Sequence, residues 1–306
     1  MGLYGTLDIC EVLIYNVLHD TSMAQRVRKL ILPVAGLGKR LRPLTLRKPK
    51  ALVRLNGGPL LEYMLKDAAA SGIDEVVIIA SPQHKTHFAS YIKKHGNDFP
   101  GIRKIHLRIQ KKPMGDGHAV LQAQGIFQNE PIAVRFSDDL IIGGGTTIGS
   151  LISFYERYNA PVMLLERVPM KVVSRYGVVE IERSMTHGKE LPNGKLHALK
   201  SFVEKPARKD APSNLTFVGA YILTRELFRK LKQHGDKLKS EENDALRIAD
   251  VFRSSLAQGE TIYGWQFTGR RLDCGTLEGF YEAERTLKEH EKKEKKRTGK
   301  QTKKRR

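Results

Sequence analysis

The sequence predicts an α/β fold, a mixed and mostly parallel sheet flanked by helices. Two observations carry this. Short unbroken apolar runs alternate with stretches in which apolar residues recur at helical spacing. Runs that are apolar throughout, rather than every second residue, belong to sheets covered on both faces.

Taken in order, 30–35 is a short apolar run that ends in glycines and reads as a buried strand. Residues 60–71 carry apolar residues at helical spacing and stop at Gly72. Residues 75–81 are a continuous apolar strand, 87–95 a helix, 105–109 a strand, 119–126 a helix and 132–136 a strand. The second half is more mixed. Strands are expected at 161–166, 176–182, 198–204 and 217–223, and helices at 224–232 and 246–257. A last strand at 264–268 and a last helix at 276–288 close the fold. No internal repeat is evident.

The 306 residues include 40% hydrophobic types, enough for one large domain. Three regions are expected: an extension over 1–27, a folded domain over 28–288 and a basic tail over 289–306. The tail lacks the apolar residues needed to fold alone. Met23 offers an alternative start, and Met1-Gly2 with Thr6 fits a loose lipidation pattern. Two cysteines, Cys10 and Cys274, make no disulfide framework, so a reducing, cytoplasmic setting is expected. No apolar run reaches the ~20 residues of a membrane helix.

The formal net charge of +20 points to polyanionic partners. The segment 288–306 holds eleven Lys or Arg against three Glu. Charge-driven contact with nucleic acid through this tail is an open alternative. The tail has no interleaved aromatics for base stacking, and a solvated terminus is the plainer reading.

The first apolar run opens into a loop with Gly36 and Gly38. Glycines let a backbone approach a bound group and offer it N–H donors, while Lys39, Arg40 and Arg42 add positive charge. This is the chemistry of a triphosphate cradle. A P-loop is excluded by spacing, and a dinucleotide fingerprint would need glycine where Leu41 stands. Ser137-Asp138-Asp139 ends an apolar strand. Ligands of open α/β sheets bind outside the carboxyl ends of strands, and carboxylates there suit Mg²⁺. Asp138 and Asp139 are rival candidate ligands. No Ser–His or Cys–His pair suggests a side-chain nucleophile. The amide of Gln110 can donate and accept together, which suits the imide edge of a pyrimidine.

Gly36-x-Gly38-x-Arg40-x-x-Pro43-x-Thr45, followed by Lys48-Pro49-Lys50, closely resembles the signature of sugar-1-phosphate nucleotidyltransferases. Gln110 through Ala119, Asp138, Phe202 through Pro206 and Arg271 through Gly275 match further family motifs in the same order. The resemblance covers 29–287 and is best to bacterial-type UTP–glucose-1-phosphate uridylyltransferases, also called UDP-glucose pyrophosphorylases. It implies the Rossmann-like nucleotide-diphospho-sugar transferase fold. It also implies transfer of uridylyl from UTP to glucose 1-phosphate, giving UDP-glucose and pyrophosphate. Transfer from dTTP, ATP or GTP, or to another sugar 1-phosphate, is the nearest alternative.

By the same resemblance, Ala35, Gly36, Gly38 and Lys39 grip nucleotide phosphates, and Arg40 holds the leaving pyrophosphate. Lys50 contacts substrate phosphates, and Gln110 with Gly115 reads the base. Gly177, Glu204, Asn214 and Gly219 adjoin the sugar, while Lys205 binds its phosphate. Asp273 completes a Mg²⁺ site with Asp138. His118 is read as structural. A homo-oligomer is expected. Two departures stand out: Ser137 replaces a usual proline, and Ala245 through Asp250 lacks the family's glutamate.

Overall fold

The computed structural model describes residues 25–127, 130–185, 191–238 and 245–304, with side chains as far as 292. The expected extension, with Gly2, Cys10 and Met23, lies outside the described residues apart from 25–27.

A nine-stranded sheet runs through the molecule in the order β5-β4-β1-β6-β11-β8-β12-β10-β9. The first half supplies β1 (Lys29–Pro33), β4 (Glu75–Ala80), β5 (Lys104–Ile109) and β6 (Ile132–Arg135), all mutually parallel. The second half supplies β8 (Val162–Arg167), β9 (Gly177–Met185), β10 (Gly194–Glu204), β11 (Leu215–Leu223) and β12 (Tyr263–Phe267). Here β11 runs against β6 and β8, and β10 runs against β12 and β9. Most strands therefore point one way, and the sheet is mixed, as the sequence predicts.

Both faces of β1 are buried. Leu30 and Leu32 join one core while Ile31 joins the other. The first core takes helix α1 (Leu60–Ala70) and helix α4 (Thr147–Tyr158). In α1, Leu61, Met64, Leu65 and Ala68 are buried at helical spacing. Each large one removed from water contributes roughly 1.5–3 kcal/mol. Helix α2 (Lys85–His95) adds Phe88 to the same core. The second core is covered by α3 (Asp116–Leu121), α5 (Arg225–Leu238) and α6 (Ile248–Ala257).

Three elements differ from the sequence expectation. Helix α4 has helical apolar spacing, but Gly149, Ser150 and Ser153 weaken its propensity. It is fixed from outside, because Asp67 on α1 accepts the N–H groups of Thr147 (2.8 Å) and Ile148 (3.3 Å). A carboxylate there also suits the helix dipole. A separate two-stranded ribbon pairs β7 (Asp139–Ile142) with β13 (Arg270–Asp273), antiparallel. Helix α3 begins earlier than expected, at Asp116. A short pairing of β2 (Arg54–Leu55) with β3 (Gly58–Pro59) completes the strands.

The basic segment from 289 was expected to lack structure. It continues helix α7 (Leu277–Lys304) instead. Lys, Glu, Arg and Gln are good helix formers. Thr276 caps the helix through Gly279 N–H (3.2 Å), and Phe280 and Ala283 anchor it in the core. Farther along, Asn56 donates to Glu291 at 2.6 Å. No described helix is long and apolar enough to cross a membrane.

Candidate active site

Between β1 and β6 the strand order reverses, since the chain first moves outward to β4 and β5. A crevice opens at such a switch point, at the carboxyl ends of the strands. Here it is a cavity of about 770 Å³. The ends of all four parallel strands line it: the glycine loop after β1, Ser81 after β4, Gln110 after β5 and Asp138 after β6.

The glycine loop is shaped by short-range sterics. Gly38 has φ 61°, and an added Cβ would lie 3.0 Å from Thr45 Cγ2 and 3.1 Å from Lys50 Cβ. The Thr45 hydroxyl donates to Gly38 O (2.9 Å), folding the loop back on itself. An added Cβ at Gly36 would meet nothing within 4 Å, so that glycine leaves open space at the cavity wall. Ala35, Gly36, Gly38, Lys39 and Arg40 all face the cavity, as the resemblance implies.

Gln110 is buried, and its amide has defined partners. Nε2 donates to Gly115 O (2.9 Å) and lies 3.0 Å from His118 Nδ1. His118 thus sits behind Gln110 and orients it, which fits a structural part rather than that of a base. Gly115 has φ 95°, and a Cβ there would strike Leu246 O at 2.3 Å. Leu246 N–H donates to Met114 O and Leu246 O accepts from Gly117, both at 2.9 Å. The stretch that departs from the family pattern therefore packs its backbone on the Gln110–Gly117 loop. Asp116 was not singled out from the sequence. Its Oδ1 accepts from Gly117 N–H (2.8 Å) and Ile248 N–H (3.2 Å), joining the starts of α3 and α6. Burial pushes its carboxyl above the usual range. Its position between two glycines at a helix start was the available signal.

The two aspartates that lie far apart in sequence come together. A Cβ added to Gly275 would lie 2.7 Å from Asp273 Oδ1, 3.4 Å from Arg40 Nη2 and 3.6 Å from Asp138 Oδ2. The carboxylate oxygens and the guanidinium thus ring one spot. The β7–β13 ribbon causes this, supported by Cys274 N–H donating to Asp138 O (2.7 Å). Gly275 N–H holds Asp273 Oδ1 at 2.7 Å. Lys50 Nζ lies 2.6 Å from Asp138 Oδ1, so Asp138 turns one oxygen to Lys50 and the other to Gly275. Cys274 is fully buried, and burial pushes its thiol up to about 12.

Asp139, the rival ligand, is otherwise engaged. Its Oδ1 accepts from Arg271 Nη1 at 2.6 Å. Burial pushes its carboxyl up to about 6 despite Arg271, with the Asp138 charge adding to the rise. Among the described residues no group of three or more His, Cys, Asp and Glu could hold a metal. The available set is a pair of hard carboxylates. That fits an ion such as Mg²⁺, which takes few protein ligands and the rest from phosphate and water.

None of the residues expected at the sugar lines this cavity itself. Glu204 stands opposite Gly177 in the β9–β10 ladder. A Cβ at Gly177 would strike Phe202 Cζ at 2.3 Å and lie 3.0 Å from Glu204 Oε2, so the glycine makes room first for that ring and then for the carboxylate. Lys205 follows with φ 47°, its N–H donating to Tyr176 O (3.0 Å) and its Nζ 3.4 Å from Glu204 Oε1. The Glu204 charge reaches Asp116, which lines the cavity. Gly219 meets the cavity through Phe136, whose N–H donates to Gly219 O at 2.7 Å and whose ring fills the space a side chain would need. The Asn214 amide oxygen accepts from Arg167.

The nucleotidyl transferase family model matches residues 29–290. A UTP–glucose-1-phosphate uridylyltransferase of Mycoplasma pneumoniae is 32% identical, over 84% of this chain and 91% of its own. One of Bacillus subtilis is 29% identical over 84% and 89%. A solved UDP-glucose pyrophosphorylase with UDP-glucose bound superposes with a TM-score of 0.74 at 30% identity. That alignment covers 86% of this chain and 99% of the other. Nucleotidyltransferases of this kind generally use a divalent metal. The chain, with its glycine loop, its reversal of strand order and its paired aspartates, belongs to the nucleotidyl transferase family.

Proposed function

We propose that the protein transfers uridylyl from UTP to glucose 1-phosphate, releasing pyrophosphate. The observation that carries this is the ring around Gly275, where Asp138, Asp273 and Arg40 converge at the edge of a nucleotide-sized cavity. The names of the similar proteins supply the substrate pair.

A phosphate oxygen of the sugar phosphate attacks the α-phosphorus of UTP, and pyrophosphate leaves in line. Both reactants are anions, so their repulsion is the main barrier, and positioning with charge neutralisation lowers it. The open backbone at Gly36 and Gly38, with Lys39 and Arg40, receives the outer phosphates. Lys50 neutralises phosphate charge at the reacting centre, and Lys205 holds the sugar phosphate. Asp138 and Asp273 would hold Mg²⁺, which supplies charge neutralisation on the phosphate oxygens.

Base choice rests on Gln110. With Nε2 engaged by Gly115 O and His118, its Oε1 is the acceptor offered to the base. Uracil and thymine present an N3–H donor, whereas cytosine presents an acceptor there. The test is pyrophosphate release across UTP, dTTP, CTP, ATP and GTP, each with several sugar 1-phosphates. UTP with glucose 1-phosphate should be the best pair and CTP among the worst. A preferred purine nucleotide would sink this reading.

A further inference from the structure

We propose that Arg271 is a positioning residue that couples the paired-carboxylate ribbon to the segment presenting Lys205. The idea rests on the parts assigned above to Asp273 and Lys205.

Arg271 lies two residues before Asp273 on β13, and its side chain is about nine-tenths buried. Its guanidinium spends donors in three directions. Nη1 donates to Asp139 Oδ1 on β7 (2.6 Å) and Nε to Glu166 Oε2 on β8 (2.5 Å). Nη2 donates to the Tyr176 hydroxyl (3.3 Å), and the guanidinium carbon lies 5.4 Å from the centre of the Tyr176 ring.

The first two contacts alone would make an ion cluster. Two buried carboxylates need a cation, and removing it would leave them unpaired at large cost. The third contact serves a different end. The Tyr176 carbonyl accepts the N–H of Lys205 at 3.0 Å, and Lys205 holds a left-handed φ of 47° that a non-glycine residue rarely adopts. Tyr176 also precedes Gly177, over which Glu204 lies. The path thus runs along the β13 backbone from Asp273 to Arg271, by a hydrogen bond to the Tyr176 hydroxyl, and from the Tyr176 carbonyl to Lys205. Lysine could not replace the arginine, since its donors radiate from one atom and cannot span this fork.

Two variants test this. Tyr176→Phe removes one hydroxyl and keeps the ring, so the fold is retained. It should raise KM for glucose 1-phosphate about five- to tenfold, the scale of one hydrogen bond, and leave KM for UTP nearly unchanged. Arg271→Lys keeps the charge but not the fork. It should raise both KM for glucose 1-phosphate and the Mg²⁺ concentration giving half-maximal rate. The double variant should be no worse in sugar-phosphate KM than Arg271→Lys alone, because both act along one chain. A lowered melting temperature with unchanged constants would reduce Arg271 to a structural ion cluster and overturn the proposal. An equal rise in KM for UTP would overturn it too. All variants are scored on whichever substrate pair the wild-type protein turns over. A different preferred pair therefore corrects the reaction assigned above and leaves this comparison intact.

Discussion

Lys50 and Asp138 face each other at 2.6 Å on one side of the Asp138 carboxylate, while its second oxygen faces Gly275 and Asp273. One carboxylate therefore serves a cation from the chain and still presents an oxygen for a metal. Asp138→Asn keeps the shape and removes the charge. It should lower Mg²⁺-dependent turnover by at least about 10²–10³, with circular dichroism and melting close to wild type. Full activity in this variant would show that no metal is held there.

Lys205 is mostly exposed, and its ammonium group pairs with Glu204. Its replacement by alanine should therefore spare stability. Turnover should fall by roughly 10²–10³, the scale for losing one preorganised charge. The measurement is pyrophosphate release at saturating UTP with glucose 1-phosphate varied. A near-normal rate would remove Lys205 from the reaction.

Gly115 has φ 95° and no space for a Cβ, since Leu246 O would lie 2.3 Å away. Gly115→Ala should push the Gln110–Gly117 loop off Leu246 and weaken UTP more than glucose 1-phosphate. The loss should be near or above the ~1–3 kcal/mol typical of backbone strain at such a position. Equilibrium binding of UTP, compared with a urea melt, separates the two effects. Unchanged UTP affinity would exclude Gly115 from the base pocket.

Glu75 on β4 lies 3.0 Å from His106 Nε2, and that hydrogen bond holds its carboxyl below its ordinary value of 4.5. A lowered carboxylate binds fewer protons when folded, so its stabilisation is present above pH 4.5 and lost as pH falls through the folded value. The site is partly open to water, so the contribution is modest, roughly 0.5–1 kcal/mol. Glu75→Gln should lower unfolding free energy at neutral pH and converge on wild type as pH falls through that lowered value. Parallel curves at every pH would contradict this.

The parallel half of the fold was legible because β1, β4 and β6 are apolar runs buried on both faces, as Leu30, Ile31 and Leu32 show, while the edge strand β5 interleaves its apolar residues with His106 and Arg108. The β7–β13 ribbon was not. Arg270, Arg271 and Asp273 give β13 a charged composition, and it is a strand only because distant β7 pairs with it. The glycine loop and the Asp138–Asp139 pair were legible from residue type and their place at strand ends, whereas the part given to Gln110 and the choice of Asp138 came from the resemblance. The closeness of Asp273 to Asp138 followed from resemblance alone, since nothing local in the chain encodes that ribbon's register. Arg271 and Asp116 were passed over because their partners come from other elements.

Leu246 meets the Gln110–Gly117 loop with its backbone: its N–H and its carbonyl make the two bonds. That support is built from atoms common to nearly every amino acid. The side chains at 245 and 247 take no part in those two bonds, so a chain can lack a family glutamate there and keep them. Proline at 246 is the exception, because it would delete the N–H itself.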